Sequence, residues 1–286
     1  MSELLALQDV SFSYGHNYLA LSNISVSFQA GERVAVLGGN GAGKSTFFLC
    51  CNGVLRPQQG RVIFDGQEVT SSRRDVYRLR EGVGLVFQDP DTQIIAGSVA
   101  SEVSFGPMNL GLTEDEVSRR VTQALAEMNI SHYHDYAPQY LSGGEKKRVS
   151  IADIIAMRPR IILLDEPTAS LDPVNARALE DILNELNSAG ITIVISTHDV
   201  DFAYRMAERA IVFAAGEIIA DASIDAVFAD DAVLVQAGLN KPLLYAAYEY
   251  LSSLDNRQTG SPMPRTIEEF KQRVASDNHF DTTSKE

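Results

Sequence analysis

The stretch GGNGAGKST, from Gly38 to Thr46, constrains the fold more than any other part of the sequence. It fits the pattern G-x-x-x-x-G-K-[S/T] between an apolar run and a helical pattern, which is the context that this motif requires. Its glycines let backbone N–H groups turn inwards around phosphates, and the following helix adds the positive end of its dipole. We therefore predict a phosphate-binding loop in which Lys44 neutralises phosphate oxygens and the Ser45 hydroxyl ligates Mg²⁺. The loop consists of Gly38, Gly39, Asn40, Gly41, Ala42, Gly43, Lys44, Ser45 and Thr46.

Short apolar runs recur along the chain without polar alternation. Such runs suit strands that are buried on both faces of a parallel sheet. Helical patterns lie between most of them, so the predicted fold class is α/β. The five runs are Arg33–Gly38, Val83–Gln88, Ile161–Glu166, Ile191–Thr197 and Ala210–Ala215.

Two other segments alternate between apolar and polar residues. They are the first ~30 residues and Gly60–Val69, and the second contains Asp65-Gly66, a hairpin type of turn. We predict that these segments form a smaller antiparallel sheet beside the parallel one.

Strand patterns disappear between residues 99 and 157, where Thr113 and Glu116 have the spacing of a capping box before a one-sided apolar helix. We expect a helical subdomain at about residues 92–157, inserted into a nucleotide-binding domain at residues 1–222.

The pattern changes again after about Ala222. Short helical segments run to Leu254, a polar linker occupies residues 255–264, and a second possible capping box pairs Thr266 with Glu269. We predict a small, mostly helical C-terminal extension that ends in a frayed tail, together spanning residues 223–286.

Charge and hydropathy restrict the possible partners. The chain carries 24 Lys and Arg against 38 Asp and Glu, and its net charge of −14 has the wrong sign for gripping nucleic-acid phosphates. No apolar run approaches the ~18–20 residues that span a bilayer, and the first ten residues lack a basic leader. We expect a cytosolic chain with no nucleic-acid partner and no direct lipid insertion, so any membrane role comes through partner proteins.

The run IILLDE ends a predicted buried strand with two adjacent carboxylates. In a protein with this phosphate-binding loop, such a strand end supplies an acid to the Mg²⁺ shell, which is Asp165 here. Glu166 is one residue further on, where it is placed to polarise a water for attack on the γ-phosphate. Two solvated acids at the start of a loop are the alternative interpretation.

The stretch LSGGE (Leu141–Glu145), the phosphate-binding loop and LLDEPT together resemble the ATP-binding-cassette (ABC) ATPases, over about residues 4–222. The resemblance implies the P-loop NTPase fold of that family, with a core parallel sheet, an antiparallel subdomain and a helical subdomain. It also implies that Ser142, Gly143 and Gly144 bind the γ-phosphate held by the phosphate-binding loop of a second copy. A head-to-tail pair would then complete two ATP sites.

Further residues carry over from the same resemblance. Tyr14 in SFSYG matches the aromatic residue that stacks on adenine, and Gln88 in VFQDP matches the glutamine that reaches Mg²⁺ and senses the transport partner. Asp172 in SLDP matches the aspartate that couples the two sites, although it also suits a helix cap. His198 in STHD matches the histidine that contacts the γ-phosphate; a structural histidine is the alternative.

Two residues depart from the commonest spelling of the family. Gly39 stands where proline is usual, which loosens the phosphate-binding loop without removing a donor. Glu145 stands where glutamine is frequent, so a ribose or inter-subunit contact at this position stays open.

The segments VFQDPDTQI and FGPMNLGL are similar to the ATPases of energy-coupling-factor transporters, and segments from Thr197 to Pro242 resemble the cobalt-uptake ATPase of that group. The resemblance implies integral membrane subunits as partners, a peripheral location on the cytoplasmic face of the membrane, and ATP with Mg²⁺ as cofactors. The five histidines of this chain are scattered along the sequence, so we expect the transported ion not to bind this chain. We also expect Asp89 and Asp91 to form an acidic rim for basic helix ends of a membrane subunit; a solvated acidic loop is the alternative.

Other functions remain open at the level of sequence. The cargo of such an importer could be nickel or a vitamin such as biotin in place of cobalt. A soluble ABC ATPase acting on macromolecules is a second alternative, although the segment between Gln88 and Leu141 is too short for the coiled-coil arms of DNA-repair relatives. A module that binds ATP without hydrolysing it is the third, and the presence of Glu166 and His198 counts against it.

Overall fold

The computed structural model describes residues 3–15, 18–169, 171–254 and 263–277. Most of the predicted linker and most of the predicted C-terminal tail lie outside these residues.

A six-stranded sheet forms the centre of the molecule, with strand order β10-β9-β3-β8-β7-β6. All five predicted buried runs are strands and pair in parallel, which confirms the α/β core. Every residue of β6, β7 and β8 is buried, as the lack of alternation indicated. The strands are β3 (Arg33–Leu37), β6 (Val83–Val86), β7 (Ile161–Asp165), β8 (Thr192–Ser196), β9 (Arg209–Ala214) and β10 (Glu217–Ser223).

The sequence did not predict β10, which pairs antiparallel with β9 at one edge of the sheet. Ala215 and Gly216 form the turn between them, both with positive φ (49° and 82°). No residue of β10 is fully buried, so this strand lacks the continuous apolar run of its neighbours.

The predicted antiparallel sheet is present, with strand order β2-β1-β4-β5. Asp65 (φ 52°) and Gly66 (φ 70°) make the expected hairpin turn between its last two strands. Its strands are β1 (Glu3–Tyr14), β2 (Tyr18–Gln29), β4 (Gln59–Phe64) and β5 (Gln67–Glu68).

Three helices form the predicted helical subdomain: α3 (Val99–Asn109), α4 (Glu114–Glu127) and α5 (Gly143–Ala156). The capping box at the start of α4 is only half formed. The Thr113 hydroxyl accepts a hydrogen bond from the Glu116 N–H, but the Glu116 carboxylate binds Arg119 and Arg120 instead of reaching back.

The remaining helices of the nucleotide-binding domain flank the central sheet. They are α1 (Lys44–Cys51), α2 (Arg73–Gly82), α6 (Pro173–Ser188) and α7 (Val200–Met206). Helix α1 lies between the two sheets, where Phe47 packs against Phe28 and Phe213. This contact fixes the start of α1 against both layers.

The C-terminal extension contains α8 (Ile224–Ala229), α9 (Asp231–Ala237), α10 (Leu243–Leu254) and α11 (Ile267–Asp277). Tyr245 of α10 packs edge-on against Tyr204 of α7, so the extension shares a core with the nucleotide-binding domain. The second capping box is also half formed, since Glu269 accepts from the Arg265 N–H rather than that of Thr266. No helix within the described residues is long and apolar enough to span a membrane.

Candidate functional site

The phosphate-binding loop connects β3 to α1 and requires glycine at two close approaches. A Cβ atom on Gly38 (φ 141°) would lie 2.3 Å from the Phe213 carbonyl oxygen. A Cβ atom on Gly43 (φ 107°) would lie 2.6 Å from the Ala20 carbonyl oxygen. The loop can therefore pass between β9 and β2 only without side chains at these positions.

Lys44 is buried within this loop. Its Nζ donates hydrogen bonds to the carbonyl oxygens of Gly38 (2.7 Å) and Gly39 (3.2 Å). Burial lowers the pKa of Lys44, and the nearby Glu166 and Asp165 oppose that shift. The ammonium group is thus held at the loop by neutral carbonyls, which it can exchange for phosphate oxygens when a nucleotide binds.

The two predicted carboxylates have separate partners on the adjacent strand. Asp165 ends β7 and accepts a hydrogen bond from the Ser196 hydroxyl at the end of β8. Glu166 follows with a positive φ of 44°, a strained conformation of the kind that clusters at functional sites. Its Oε2 accepts from the Thr197 hydroxyl at 3.2 Å, and its Oε1 lies 2.9 Å from His198 Nδ1. The strand that precedes His198, β8, pairs in parallel with the Asp165 strand β7, which brings these side chains to the same edge of the sheet.

These residues surround one cleft of about 340 Å³. The cleft brings together Lys44, Glu166 and His198 with Ser45, Gln88 and Asp165. The last three offer hydroxyl, amide and carboxylate oxygens, the hard donors that Mg²⁺ prefers, so the residues fit the ion. The other lining residues are Tyr18, Asn40, Gly41, Ala42, Gly43 and Thr46.

Two tyrosines stand at the edge of this cleft. Tyr14 and Tyr18 are cross-strand partners at the end of the β1–β2 hairpin, with ring centroids 6.4 Å apart. The Tyr14 hydroxyl is 3.3 Å from the Thr46 hydroxyl, which ties the predicted adenine-stacking ring to α1. Tyr18, which the sequence analysis did not select, lines the cleft itself.

The signature residues Ser142, Gly143 and Gly144 do not line this cleft. They begin α5, where the Ser142 hydroxyl accepts from the Glu145 N–H and Glu145 Oε2 accepts from the Ser142 N–H at 2.7 Å. This complete capping box satisfies the N–H groups of Ser142 and Glu145 from within the chain, and neither of its hydrogen bonds uses the N–H groups of Gly143 and Gly144. Glu145 Oε1 also accepts a hydrogen bond from the Tyr133 hydroxyl, so its carboxylate is fully engaged.

Asp172 also lies outside the cleft. Its Oδ1 caps α6 by accepting from the N–H groups of Val174 and Asn175, which confirms the helix-cap interpretation. The Asn175 side chain bridges Asp172 Oδ2 (2.7 Å) and Arg148 of α5 (2.8 Å). The start of α6 is thereby linked to the signature helix.

The predicted acidic rim is partly neutralised. The Asp91 carboxylate forms an ion pair with Lys146 of α5 at 2.6 Å. The Asp89 carboxylate accepts from the Asp91 N–H and so caps a short turn. A membrane subunit would therefore meet a mixed surface here, with less negative charge than the sequence suggests.

A groove of about 520 Å³ lies between α2 and the helical subdomain. Tyr77, Phe105 and Met157 give it apolar walls. Asp153 of α5 also lines it, and burial together with the charge of Glu102 raises the pKa of this carboxyl to about 7.

Eleven of the predicted site residues line one cleft, and Tyr14 contacts one of them, Thr46, whereas the signature residues and Asp172 do not line it. Sequence reasoning missed Ser196 and Thr197, which orient the two carboxylates. The polar Ser-Thr pair after the apolar run ITIVI is the signal that could have identified them. Among the described residues, no group of three or more His, Cys, Asp or Glu could hold a metal ion.

Comparisons with known proteins agree with this geometry. The family described as ABC transporter matches residues 21–169. The energy-coupling factor transporter ATP-binding protein EcfA of Methanothermobacter thermautotrophicus is 48% identical over 239 residues, which cover 84% of this chain and 77% of the relative. The cobalt import ATP-binding protein CbiO of Rhodobacter capsulatus is 44% identical over 277 residues, which cover 96% of this chain and 98% of the relative.

Solved structures show the same fold. CbiO1 from Clostridium perfringens, part of the ABC transporter complex CbiONQ, has a TM-score of 0.74 and 37% identity, over 90% of this chain and 100% of that one. An ATP-binding cassette solved as a dimer in a post-hydrolysis state with ADP and phosphate has a TM-score of 0.71 and 28% identity. The match covers 77% of this chain and 99% of that one.

Proposed function

Since the chain belongs to the ABC transporter family of ATP-hydrolysing subunits, we propose that it works as a head-to-tail homodimer that drives cobalt import through an energy-coupling-factor transporter. Its family membership establishes ATP binding and ATP hydrolysis coupled to transport. The cargo, the membrane partners and the role of each site residue belong to the proposal.

The position of Glu166 carries the proposed mechanism. Its carboxylate is at the cleft between the Thr197 hydroxyl and His198, where it accepts a proton from the water that attacks the γ-phosphate. Lys44 and His198 stabilise the charge that develops on the phosphoryl oxygens. Mg²⁺, which Ser45, Gln88 and Asp165 would hold, supplies further neutralisation of the phosphate charge when bound.

Exposure of the signature supports the dimer. Ser142 and Gly143 are exposed and none of the three signature residues reaches the cleft of its own chain. A helix start with small residues and free N–H groups is an anion site, so a phosphate supplied by a second copy suits it. A relative of the same fold was solved as a dimer with ADP and phosphate.

The apolar groove beside α2 supports a membrane partner. Tyr77 of α2 and Phe105 of α3 line this groove and are exposed large apolar side chains, and exposed apolar surface of this kind marks interaction sites. We place coupling helices of integral membrane subunits there, with the chain peripheral on the cytoplasmic face. Cobalt as cargo is supported by the similarity to CbiO over nearly the whole length of both chains.

The decisive experiment uses Glu166→Gln in vesicles that contain the membrane subunits recovered with the tagged chain. We expect ATP hydrolysis to fall about 100-fold or more, because the amide is no longer a base, while an ATP-bound dimer accumulates. Uptake of Co²⁺ is expected to stop as well. Glu185→Gln, an exposed carboxylate on α6, serves as the matched control and should retain full uptake.

Full turnover by Glu166→Gln would contradict the mechanism. Wild-type uptake of Ni²⁺ or biotin without Co²⁺ would leave the mechanism intact and replace the cargo. Recovery of the chain with soluble or nucleic-acid partners only, and no transport, would move the function to a soluble ABC ATPase.

A further inference from the structure

We propose that Lys147 is a positioning residue for Gln88, and that it locks the Gln88 loop, defined here as residues 87–93, to the signature helix α5. The inference rests on the proposed function, because it gives Gln88 a task at the Mg²⁺ site and at the membrane partner. It adds a residue that does not line the cleft.

Lys147 is almost completely buried, with 2% of its surface exposed. Its Nζ donates hydrogen bonds of 2.8 Å to the carbonyl oxygens of both Phe87 and Gln88. Lysine is almost never fully buried without such compensation, since an unpaired buried charge is costly. The side chain therefore connects α5 to two consecutive peptide groups that are distant in sequence.

Gln93 holds the Gln88 loop closed from its other end. Its Oε1 accepts from the Phe87 N–H at 3.2 Å, and its Nε2 donates to the Ser150 carbonyl oxygen of α5 at 3.0 Å. The Lys146–Asp91 ion pair lies between these anchors. It is partly exposed, so it contributes less to the attachment than the buried contacts of Lys147 do.

Lys147 and the signature lie on the same helix, α5. Ser142 caps the start of the same helix, and Gln88 lines the cleft with Asp165. A rigid helix moves as one element, so a shift of the Gln88 loop is transmitted to the signature through Lys147. The ligand of one ATP site and the phosphate-binding helix start of the other site then move together.

The test compares Lys147→Met with Lys147→Arg and Lys146→Met. Methionine keeps the length of the side chain but leaves the two carbonyls without a donor, whereas arginine keeps charge and donors. The first measurement is amide hydrogen exchange of the peptide that covers residues 86–94, in the isolated full chain without nucleotide. We expect exchange there to be at least about tenfold faster in Lys147→Met, and within about twofold of wild type in the other two variants.

The second measurement is the Mg²⁺ concentration that gives half-maximal ATP hydrolysis. In Lys147→Met it should rise about tenfold while KM for ATP changes by less than about twofold, since only the ligand loop is displaced. Adding Gln88→Ala to Lys147→Met should not raise this Mg²⁺ concentration further, because the Gln88 side chain no longer ligates Mg²⁺ in either variant. Lys147→Gln, which keeps one donor group, replaces the methionine variant if that one does not fold.

Unchanged exchange in residues 86–94, or faster exchange spread evenly over the helical subdomain, would overturn the proposal. Additive effects of Lys147→Met and Gln88→Ala would overturn it as well. Hydrogen exchange needs neither nucleotide nor membrane subunits, so its outcome is separable from that of the Glu166→Gln experiment.

Discussion

The nucleotide cleft and the start of the signature helix differ in burial and in charge. Lys44, Asp165 and Glu166 are buried charges, and each has a partner in its own chain. Ser142 and Gly143 are exposed and carry no charge. A buried charge must be compensated before the ligand arrives, whereas an exposed helix start needs only its cap.

The difference shows how one chain can carry two halves of different sites. The capping box of Ser142 and Glu145 keeps α5 stable without a partner. Gly143 and Gly144 add no side chain that would block an approaching phosphate. Under the proposed function, the cleft binds the nucleotide within one chain, and the signature contacts a second copy.

We expect the largest effects from one substitution in the cleft and one in the signature, and the two should affect ATP binding differently. Lys44→Ala should abolish ATP binding by the isolated chain and lower hydrolysis about 1,000-fold, because the charge at the phosphates is lost. Ser142→Arg should lower hydrolysis about 100-fold but leave ATP binding by the monomer intact. Equilibrium binding of a fluorescent ATP analogue and phosphate release measure the two quantities. Equal loss of monomer binding in both variants would remove the distinction.

A smaller effect concerns charge compensation away from the cleft. Asp153 of α5 has only a long contact of 3.4 Å to Gln93, and its pKa is raised from 3.8 to about 7. A raised carboxyl pKa means that the folded state binds the proton more tightly, so stability is lost as pH rises from about 4 through about 7. Asp153→Asn removes this loss and should stabilise the chain by about 2–4 kcal/mol at pH 8.

Thermal unfolding at pH 4 and pH 8 checks this prediction. The asparagine variant should melt close to wild type at pH 4 and several degrees higher at pH 8. An identical difference at both pH values would show that the titration of Asp153 does not contribute.

The smallest expected effect tests the self-sufficient helix start. Glu145→Ala removes half of the capping box and should cost on the order of 1 kcal/mol, or a melting temperature lower by about 2 °C. Glu145→Gln can still reach the Ser142 N–H and should cost less. ATP binding by the isolated chain should be unchanged in both variants, and a loss of binding would show that the signature is not separate from the cleft.

Much of the fold was predictable because short stretches of the sequence indicate it. Runs such as IILLD suit strands that are buried on both faces, and all five runs form the parallel core. Lys44, Asp165, Glu166 and His198 could be placed together because carboxyl ends of neighbouring parallel strands meet at one edge of a sheet. The exposed signature followed from the family resemblance rather than from periodicity.

Other features depend on contacts that sequence spacing does not reveal. β10 was missed because an edge strand is half exposed and lacks a buried run. Glu116 has the spacing of a capping box, yet two arginines on its own helix compete successfully for its carboxylate. The burial of Lys147 depends on a loop that is 59 residues away in sequence, so no local pattern distinguishes it from Lys146.

Disulfide formation tests most directly whether the signature of one copy faces the phosphate-binding loop of another. One chain carries Asn40→Cys and a second, differently tagged chain carries Ser142→Cys, both in the Glu166→Gln background. Asn40 and Ser142 are exposed, whereas Cys50 and Cys51 are buried, and burial raises the pKa of Cys50 to about 12. The native thiols should therefore not compete for oxidation.

We expect a disulfide between the two chains only when both variants are mixed and ATP with Mg²⁺ is present. Each variant alone should stay monomeric on a non-reducing gel. Absence of the cross-link in the ATP-bound mixture would contradict the head-to-tail arrangement.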